Sequence, residues 1–229
     1  PAEEIAPGGA VIMMKAGSIV GVDHIIGGHV LPSLNPKKIG IRYDSMAAYV
    51  ERLEITLKGP GGHTSRPTKS VDLIWALSHL IISLEESIRH HLDQREPVVL
   101  AFGQVQGGHT CNVLPSEIML QGTLRYLNVS LKDKLYQIID DTVKSVERLT
   151  DAKISWCIAY SSPGLINDDV CTDLIIEAAQ AVLGVENVHM MKESSMGGED
   201  FAYYLGEIPG AYFRIGCYDG KTRDIHTND

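Results

Sequence analysis

Apolar and polar residues alternate along four short stretches in the middle of the chain. The first, ERLEITLK from Glu51, places three aliphatic side chains on one face, as a half-buried strand does. The same period returns in PVVLAFGQV, in EIMLQGTLR and in KISWCIAY, and a Gly-Gly loop separates the second stretch from the third. The alternation therefore predicts four strands between residues 51 and 160.

Two segments between these strands have the longer period of an amphipathic helix. In SVDLIWALSHLIISLEESI the apolar positions recur every three or four residues, at Ile74, Leu77, Ile81, Leu84 and Ile88. The second segment opens with SLKD, which resembles a capping box with Ser130 as N-cap and Asp133 three residues later. The order is then βαββαβ, which predicts a ferredoxin-like domain over residues 51–160.

The flanking segments have a different character. DHIIGGHVLP is a short apolar run that ends in turn residues, which is typical of a buried parallel strand whose C-terminal end opens onto a site. A helix is predicted at about 168–183, and a second one opens at GGEDFAYYL, where Glu199 and Asp200 are placed to cap it. The apolar AYFRIG follows as a strand.

These patterns predict an α/β protein in two parts. Residues 1–50 and 161–229 form a partial α/β catalytic domain, and the ferredoxin-like domain of residues 51–160 interrupts it.

Composition limits the classes of partner. The chain has 229 residues, 44% of them hydrophobic and 21% charged, as in an ordinary globular protein. It has no apolar run of about 18 residues, so no transmembrane helix is predicted. A net charge of -9 argues against nucleic acids and anionic membranes, which bind clustered Lys and Arg. The four cysteines form no C-x-x-C pair, which favours reduced thiols and a cytoplasmic location.

Four residues near the two ends have the chemistry of a hydrolytic metal site. Such a site needs His nitrogens and carboxylate oxygens as ligands, with one further carboxylate to take a proton from bound water. Glu3 and Glu4 could divide these carboxylate roles, and His29 and His226 could supply the nitrogens. Each residue also has an ordinary interpretation, as a solvated terminal glutamate or a hydrogen-bonded histidine.

Three further candidates lie in the predicted central domain. His63 is in the glycine-rich GPGGHTSRP, Asn112 is in GGHTCNVLP, and Arg125 ends a strand. The glycines would let a ligand approach the backbone of both loops. The alternatives are a turn histidine, an Asx turn and a solvated arginine.

Taken in order, PAEE, GGHV, GPGGHTSRP, GGHTCNVLP, GTLR, MGGEDFAYYL, IPGA and DIHTND resemble the M20 metallopeptidase family. The likeness is greatest to its amidohydrolase branch, which includes hippurate hydrolases, N-acyl-amino-acid amidohydrolases and auxin-conjugate hydrolases. It implies a catalytic α/β domain with two divalent metal ions (Zn, Mn, Co or Ni). It also implies an inserted ferredoxin-like lid that mediates homodimerisation.

The resemblance also implies a role for each residue of the metal site. Glu3 would be the general base that deprotonates the water between the metals. The metal ligands would be Glu4, His29 and His226.

The lid residues would act on the substrate. His63 would reach into the partner's site to stabilise the tetrahedral oxyanion, and Asn112 and Arg125 would bind the substrate's carboxylate. Family members carry more ligands upstream of the glutamate pair, so the resemblance implies that the chain begins inside an active site. It also ends at HTND, where the family runs on into a terminal helix.

The predicted function is therefore metal-dependent hydrolysis of the amide bond of N-acyl amino acids or small peptides. The alternative is a non-catalytic, truncated relative that serves as a dimerisation or binding module. A βαββαβ nucleic-acid binder is disfavoured by the acidic charge and by strands that lack paired aromatic residues.

Overall fold

The computed structural model of the chain describes residues 8–220, which separate into two compact units. One is formed by the chain up to Tyr49 together with the chain from Ser162 onward, and we call it the flanking unit. The other is the continuous segment Val50–Ser161, which we call the central unit. None of the helices within residues 8–220 has the length and apolar character needed to cross a membrane.

The elements follow one another along the chain as α1 (Gly9–Lys15), β1 (Ile25–Leu31), β2 (Ile39–Ile41), β3 (Asp44–Ala47), β4 (Tyr49–Lys58), β5 (Gly62–His63), α2 (Leu73–His91), β6 (Val98–Gly107), β7 (Val113–Leu114), β8 (Glu117–Tyr126), α3 (Lys132–Thr150), β9 (Lys153–Ser162), β10 (Leu165–Asn167), α4 (Asp169–Leu183), β11 (Val188–Met190), α5 (Ala202–Leu205) and β12 (Gly210–Gly216).

The flanking unit is built on a mixed four-stranded sheet in the order β1-β12-β2-β11. β1 runs parallel to β12, β2 antiparallel to β12, and β11 parallel to β2. α4 covers this sheet through a cluster of buried apolar residues, namely Ile39, Ile41, Cys171, Ile175 and Ala211. A second buried cluster joins the β3-β10 pair to α5 and β12. The layers are those of an α/β protein.

The predicted burial of β1 is wrong for the described residues. β1 does run parallel to its neighbour, but it lies at an edge of the sheet order. Ile26 is 56% exposed and Val30 is 48% exposed. A continuous apolar run normally marks a strand covered on both faces, and here only β12 lies beside it among the described strands.

The central unit has a four-stranded sheet in the order β6-β8-β4-β9, and its elements follow in the order βαββαβ. β6 and β8 are antiparallel, and α2 packs along α3. The interior includes side chains with no exposed surface from β4, α2 and β8, among them Leu53, Ile55, Leu57, Leu80, Leu84, Leu120 and Leu124. A two-stranded pair, β5 and β7, lies outside this sheet.

At the start of α2 the first position of the predicted apolar stripe is wrong, whereas Leu77, Leu84 and Ile88 are buried as predicted. Asp72 caps the helix by accepting hydrogen bonds from the backbone N–H groups of Ile74 and Trp75, at 3.1 and 3.0 Å. Ile74 is consequently 54% exposed, and its predicted place in the core is taken by Leu73. Whether a side chain in the first turn is buried therefore depends on the geometry of the cap as well as on the apolar period.

The capping box predicted at Ser130 is also wrong. The residue before α3 is Leu131, which makes no side-chain cap. A short 3-10 turn precedes the helix, and Asn128 Oδ1 accepts there from the backbone N–H and the hydroxyl of Ser130, at 3.0 and 2.7 Å. Asn128 therefore caps this turn, two residues earlier than the predicted N-cap.

One buried carboxylate ties together four elements of the central unit. Glu51 has no exposed surface, and its Oε1 accepts from the hydroxyls of Tyr126 (3.2 Å), Tyr136 (2.8 Å) and Ser161 (3.3 Å). The Lys132 ammonium lies 3.3 Å from the same oxygen. Burial, together with the bond to Glu51, raises the pKa of the Tyr136 phenol. The carboxylate thus joins the start of β4 to β8, α3 and β9.

We predict that Glu51→Leu costs roughly 3 kcal/mol of unfolding free energy, because buried donors would lose their acceptor. Glu51→Gln should cost about half as much, since its amide oxygen can still accept while the ion pair with Lys132 is lost. Urea unfolding of both variants measures the difference. Equal stability of the Leu variant and the wild-type protein would contradict this account.

Candidate functional site

The segment at residues 194–201, which carries the GGED sequence, is fixed at its start to β3. The backbone N–H of Ala48 lies 3.0 Å from the carbonyl oxygen of Ser195 and 3.1 Å from that of Gly197. The Ser194 hydroxyl donates to a carbonyl of β3 at 2.6 Å. These bonds hold the segment on the flanking unit without regular secondary structure of its own.

At its end, the same segment lies directly on β1. A Cβ atom at Gly27 would stand 2.7 Å from Phe201 Cε2 and 2.8 Å from Tyr212 Cδ2, so the position has no room for a side chain. Gly27 is paired with Tyr212 across β1 and β12, and the Phe201 and Tyr212 rings are 5.2 Å apart. His29 lies two residues further along β1, on the same face as Gly27.

Glu199 lies just before α5, as predicted, and its carboxylate also holds the segment to β12. The residue is 9% exposed, and its Oε2 accepts a 2.5 Å hydrogen bond from the Tyr212 hydroxyl. The backbone of Tyr212 is held in turn by the buried Asn167 amide, at 2.8 and 3.0 Å. α5 begins only at Ala202 and has no side-chain cap. The other carboxylate oxygen of Glu199, Oε1, accepts a long hydrogen bond of 3.5 Å from the backbone N–H of Phe201, just before α5.

Asp200 connects the segment to the first described residues of the chain. Its Oδ2 accepts from the backbone N–H of Ala10, in the first turn of α1, at 2.8 Å. Gly8 has a φ of 85°, and a Cβ there would stand 3.0 Å from the same oxygen. Asp200 therefore caps α1, which lies 190 residues away in the sequence, and not the helix that follows it.

The ring of His29 is oriented by the adjacent backbone. Nδ1 lies 2.8 Å from the carbonyl oxygen of Val30. A carbonyl can only accept, so Nδ1 carries the proton and the neutral ring has its lone pair on Nε2. Metal-ligating histidines commonly have one nitrogen bonded to a backbone carbonyl in this way. The donor chemistry of His29 thus fits a divalent metal ion.

The other predicted residues of the metal site, Glu3, Glu4 and His226, lie outside the described residues. Within residues 8–220, no three His, Cys, Asp or Glu side chains are close enough to hold a metal ion. Of the predicted metal ligands, the described part of the chain therefore contains only His29.

His63 and Asn112 are brought together by the pairing of their loops. β5 pairs with β7 so that His63 faces Val113, and the backbone N–H of Thr64 donates to the Asn112 carbonyl at 3.1 Å. Ser65 lies against His63 Nδ1 through its backbone N–H (3.2 Å) and its hydroxyl (2.8 Å). Because a backbone N–H can only donate, Nδ1 accepts and the neutral His63 ring carries its proton on Nε2. In this tautomer the Nε2–H of His63 can donate a hydrogen bond.

A cavity of about 480 Å³ adjoins these two loops. Its walls combine glycine backbone with the side chains of His109, Val113, Glu117 and Met119. The glycine at position 61 is needed there because a Cβ would stand 2.6 Å from the Leu114 carbonyl oxygen.

Arg125 is not part of this group. It is half-buried near the end of β8, where its Nε donates to the Thr123 hydroxyl at 3.4 Å and burial lowers the pKa of its guanidinium. β8 begins at Glu117, beside the His63 and Asn112 loops. At 3.3 Å per residue, Arg125 lies roughly 25 Å further along the strand. One copy of the central unit therefore holds two separate groups of candidate residues.

The sequence pattern of peptidase family M20/M25/M40 matches residues 1–229. The chain belongs to this family. It is 37% identical over 226 residues to "Probable hydrolase sll0100" of Synechocystis sp., an alignment that covers 99% of this chain and 57% of that protein. It is 35% identical over 168 residues to an N-acyl-L-amino acid amidohydrolase of Geobacillus stearothermophilus, covering 73% and 45% of the two chains. The chain spans about half the length of the curated relatives it matches.

A solved M20 structure has the same fold. The YXEP protein of Bacillus subtilis, described as a dinuclear metal binding peptidase, superposes with a TM-score of 0.79 at 28% identity. The match covers 99% of this chain and 56% of that one. The mixed α/β arrangement is thus that of an M20 peptidase.

We predict opposite tautomers for the histidines of this M20 chain. In metal-free protein above pH 8, His29 should carry its proton on Nδ1 and His63 on Nε2. His91 is an internal control, because its Nδ1 lies 2.8 Å from the Ser87 carbonyl oxygen and must donate. Long-range ¹H–¹⁵N NMR correlations distinguish the two forms. An Nε2–H ring at His29, or an Nδ1–H ring at His63, would contradict the assignment.

Proposed function

We propose that this chain belongs to a metal-dependent amidohydrolase that cleaves the amide bond of N-acyl amino acids or small peptides. The observation that carries the proposal is His29, which presents the Nε2 lone pair on the sheet face where the GGED segment lies. Membership of the M20 family and the amidohydrolase and deacetylase activities named for its relatives support the reaction class. These relatives do not favour a purely structural module.

The proposed metal site combines residues from three parts of the chain. Glu4, His29 and His226 would hold divalent metal ions, and their nitrogen and oxygen donors suit Zn, Mn, Co or Ni. Bound metal would lower the pKa of a water molecule and polarise the amide carbonyl. Glu3 would take the proton from that water and return it to the leaving nitrogen as the C–N bond breaks.

We propose that the central unit is a ferredoxin-like lid, a label supported by its βαββαβ order and its β6-β8-β4-β9 sheet. The Nε2–H of His63 would then donate to the oxyanion, with Asn112 beside it. Arg125 would pair with the substrate's carboxylate. Because Arg125 is distant from the two loops, a substrate that reaches all three would take His63 and Asn112 from one subunit and Arg125 from the other.

A homodimer through the lid is supported by the edge strand β6. This strand ends the sheet, and its valines at positions 99 and 105 are 38% and 54% exposed. A groove of about 770 Å³ runs beside it, lined in part by Ile88, Leu92 and Val98. An exposed edge of this kind can pair with its symmetry mate.

In the full-length protein, Glu3→Gln should retain bound metal while turnover falls by roughly 10²–10⁴-fold, because the amide cannot accept the proton of water. Glu4→Gln is the matched control and should lose metal instead. Metal analysis of the purified variants, with assays on an N-acetyl amino acid, separates the two roles. Loss of metal from the Glu3 variant would show that the division of labour is wrong.

Mixed subunits test whether His63 acts across the dimer. Glu3→Gln and His63→Ala homodimers should both be inactive, but a mixed dimer has one site with a sound Glu3 and a sound partner His63. Full exchange at equal amounts should restore roughly a quarter of wild-type activity.

The control for this exchange combines Glu3→Gln with the Glu3→Gln/His63→Ala double variant, which should stay inactive because no site has a sound Glu3. Native mass spectrometry would confirm the mixed dimers. Confirmed exchange without recovered turnover would mean that His63 serves its own subunit.

A further inference from the structure

Asp200 joins the two parts of the chain that would form the metal site, and the proposed reaction gives it no chemical step. We propose that Asp200 is a positioning residue, whose carboxylate holds the start of α1, to which the Glu3–Glu4 segment is joined, beside the sheet face that carries His29. This inference rests on the proposed function, because it assigns the geometry of the same site.

Asp200 has a fixed place on the sheet because its two chain neighbours are anchored. Glu199 is held by the Tyr212 hydroxyl at 2.5 Å. On the other side, the Phe201 ring lies so close to Gly27 that a Cβ atom there would clash with it. β1 and β12 therefore fix the position of Asp200, although the segment that carries it has no regular secondary structure.

From this fixed point, Asp200 holds the beginning of α1. The 2.8 Å bond to the Ala10 N–H satisfies one of the amide groups that a helix leaves unpaired at its start. Gly8 is packed against the same carboxylate, in a left-handed conformation that suits glycine. The start of α1 therefore has a defined place on the flanking unit.

Chain length then limits how far the predicted ligands can be from each other. Glu4 precedes Gly8 by four residues, so its Cα lies within about 14 Å of that glycine. His29 follows Gly27 by two residues, about 7 Å along β1. Both predicted ligands are thus joined by short chain segments to the contact between Asp200 and α1, and we expect that loosening this contact would change the distance between them.

Two substitutions of Asp200 in the full chain test the proposal. Asp200→Leu removes the acceptor, whereas Asp200→Asn keeps both the size of the side chain and an oxygen that can accept from Ala10. Asp168→Ala is the control, because Asp168 caps α4 through the Cys171 N–H at 2.9 Å and holds no part of the proposed site. The measurements are amide exchange at Ala10 by NMR, Zn²⁺ affinity by calorimetry, and kcat and KM on an N-acetyl amino acid.

The Leu variant should exchange Ala10 faster, bind Zn²⁺ about 10-fold more weakly, and lose about 10- to 100-fold in kcat with a nearly unchanged KM, as when other outer partners of metal ligands are removed. Asp200→Asn should recover most of each loss. The Asp168 control should leave Zn²⁺ affinity and kcat at wild-type values.

Normal Zn²⁺ affinity and kcat in the Leu variant, despite faster exchange at Ala10, would overturn the proposal and reduce Asp200 to a helix cap. An Asn variant as defective as the Leu variant would overturn it too, since the charge and not the hydrogen bond would then matter. Wild-type protein that bound no divalent metal would overturn the proposed function itself, a result distinct from failure of the Asp200 role alone.

Discussion

The close approach between the Phe201 ring and Gly27 is the contact on which the candidate metal site depends. It brings the GGED segment onto β1, two residues from His29, and leaves no space for a side chain between them. The Glu199 bond to Tyr212 and the Asp200 bond to Ala10 both follow from that placement. One glycine in an apolar strand thus allows distant segments to meet at a single face of the sheet.

The two candidate histidines differ because their backbone neighbours differ. A carbonyl beside His29 leaves the lone pair on Nε2, as a metal ligand requires, and an N–H beside His63 leaves a proton there, as an oxyanion donor requires. Local hydrogen bonds therefore give the two rings opposite tautomers, which suit the two proposed roles.

Local patterns predicted the regular elements, because the side-chain period of a strand or helix is set by the residues within it. The βαββαβ order and α4 could be predicted in this way. Among the described residues, the predicted burial of β1 was wrong because burial depends on which strands lie beside it. The Ser130 cap was wrong because the Ser130 hydroxyl donates to Asn128 Oδ1. The contact of Asp200 with Ala10 spans 190 residues and leaves no local sequence signal. The apolar run AYFRIG predicted the strand, but nothing in it indicated that the Tyr212 hydroxyl donates to Glu199.

The central claim is that His29 ligates a divalent metal through Nε2 at the edge of the flanking sheet. Anomalous diffraction from crystals of the full-length protein grown with Zn²⁺ tests it most directly. The account predicts an anomalous peak about 2.1 Å from His29 Nε2, with Nδ1 still bonded to the Val30 carbonyl. A metal bound elsewhere with Nε2 unligated, or bound through Nδ1 with the Val30 bond broken, would contradict it.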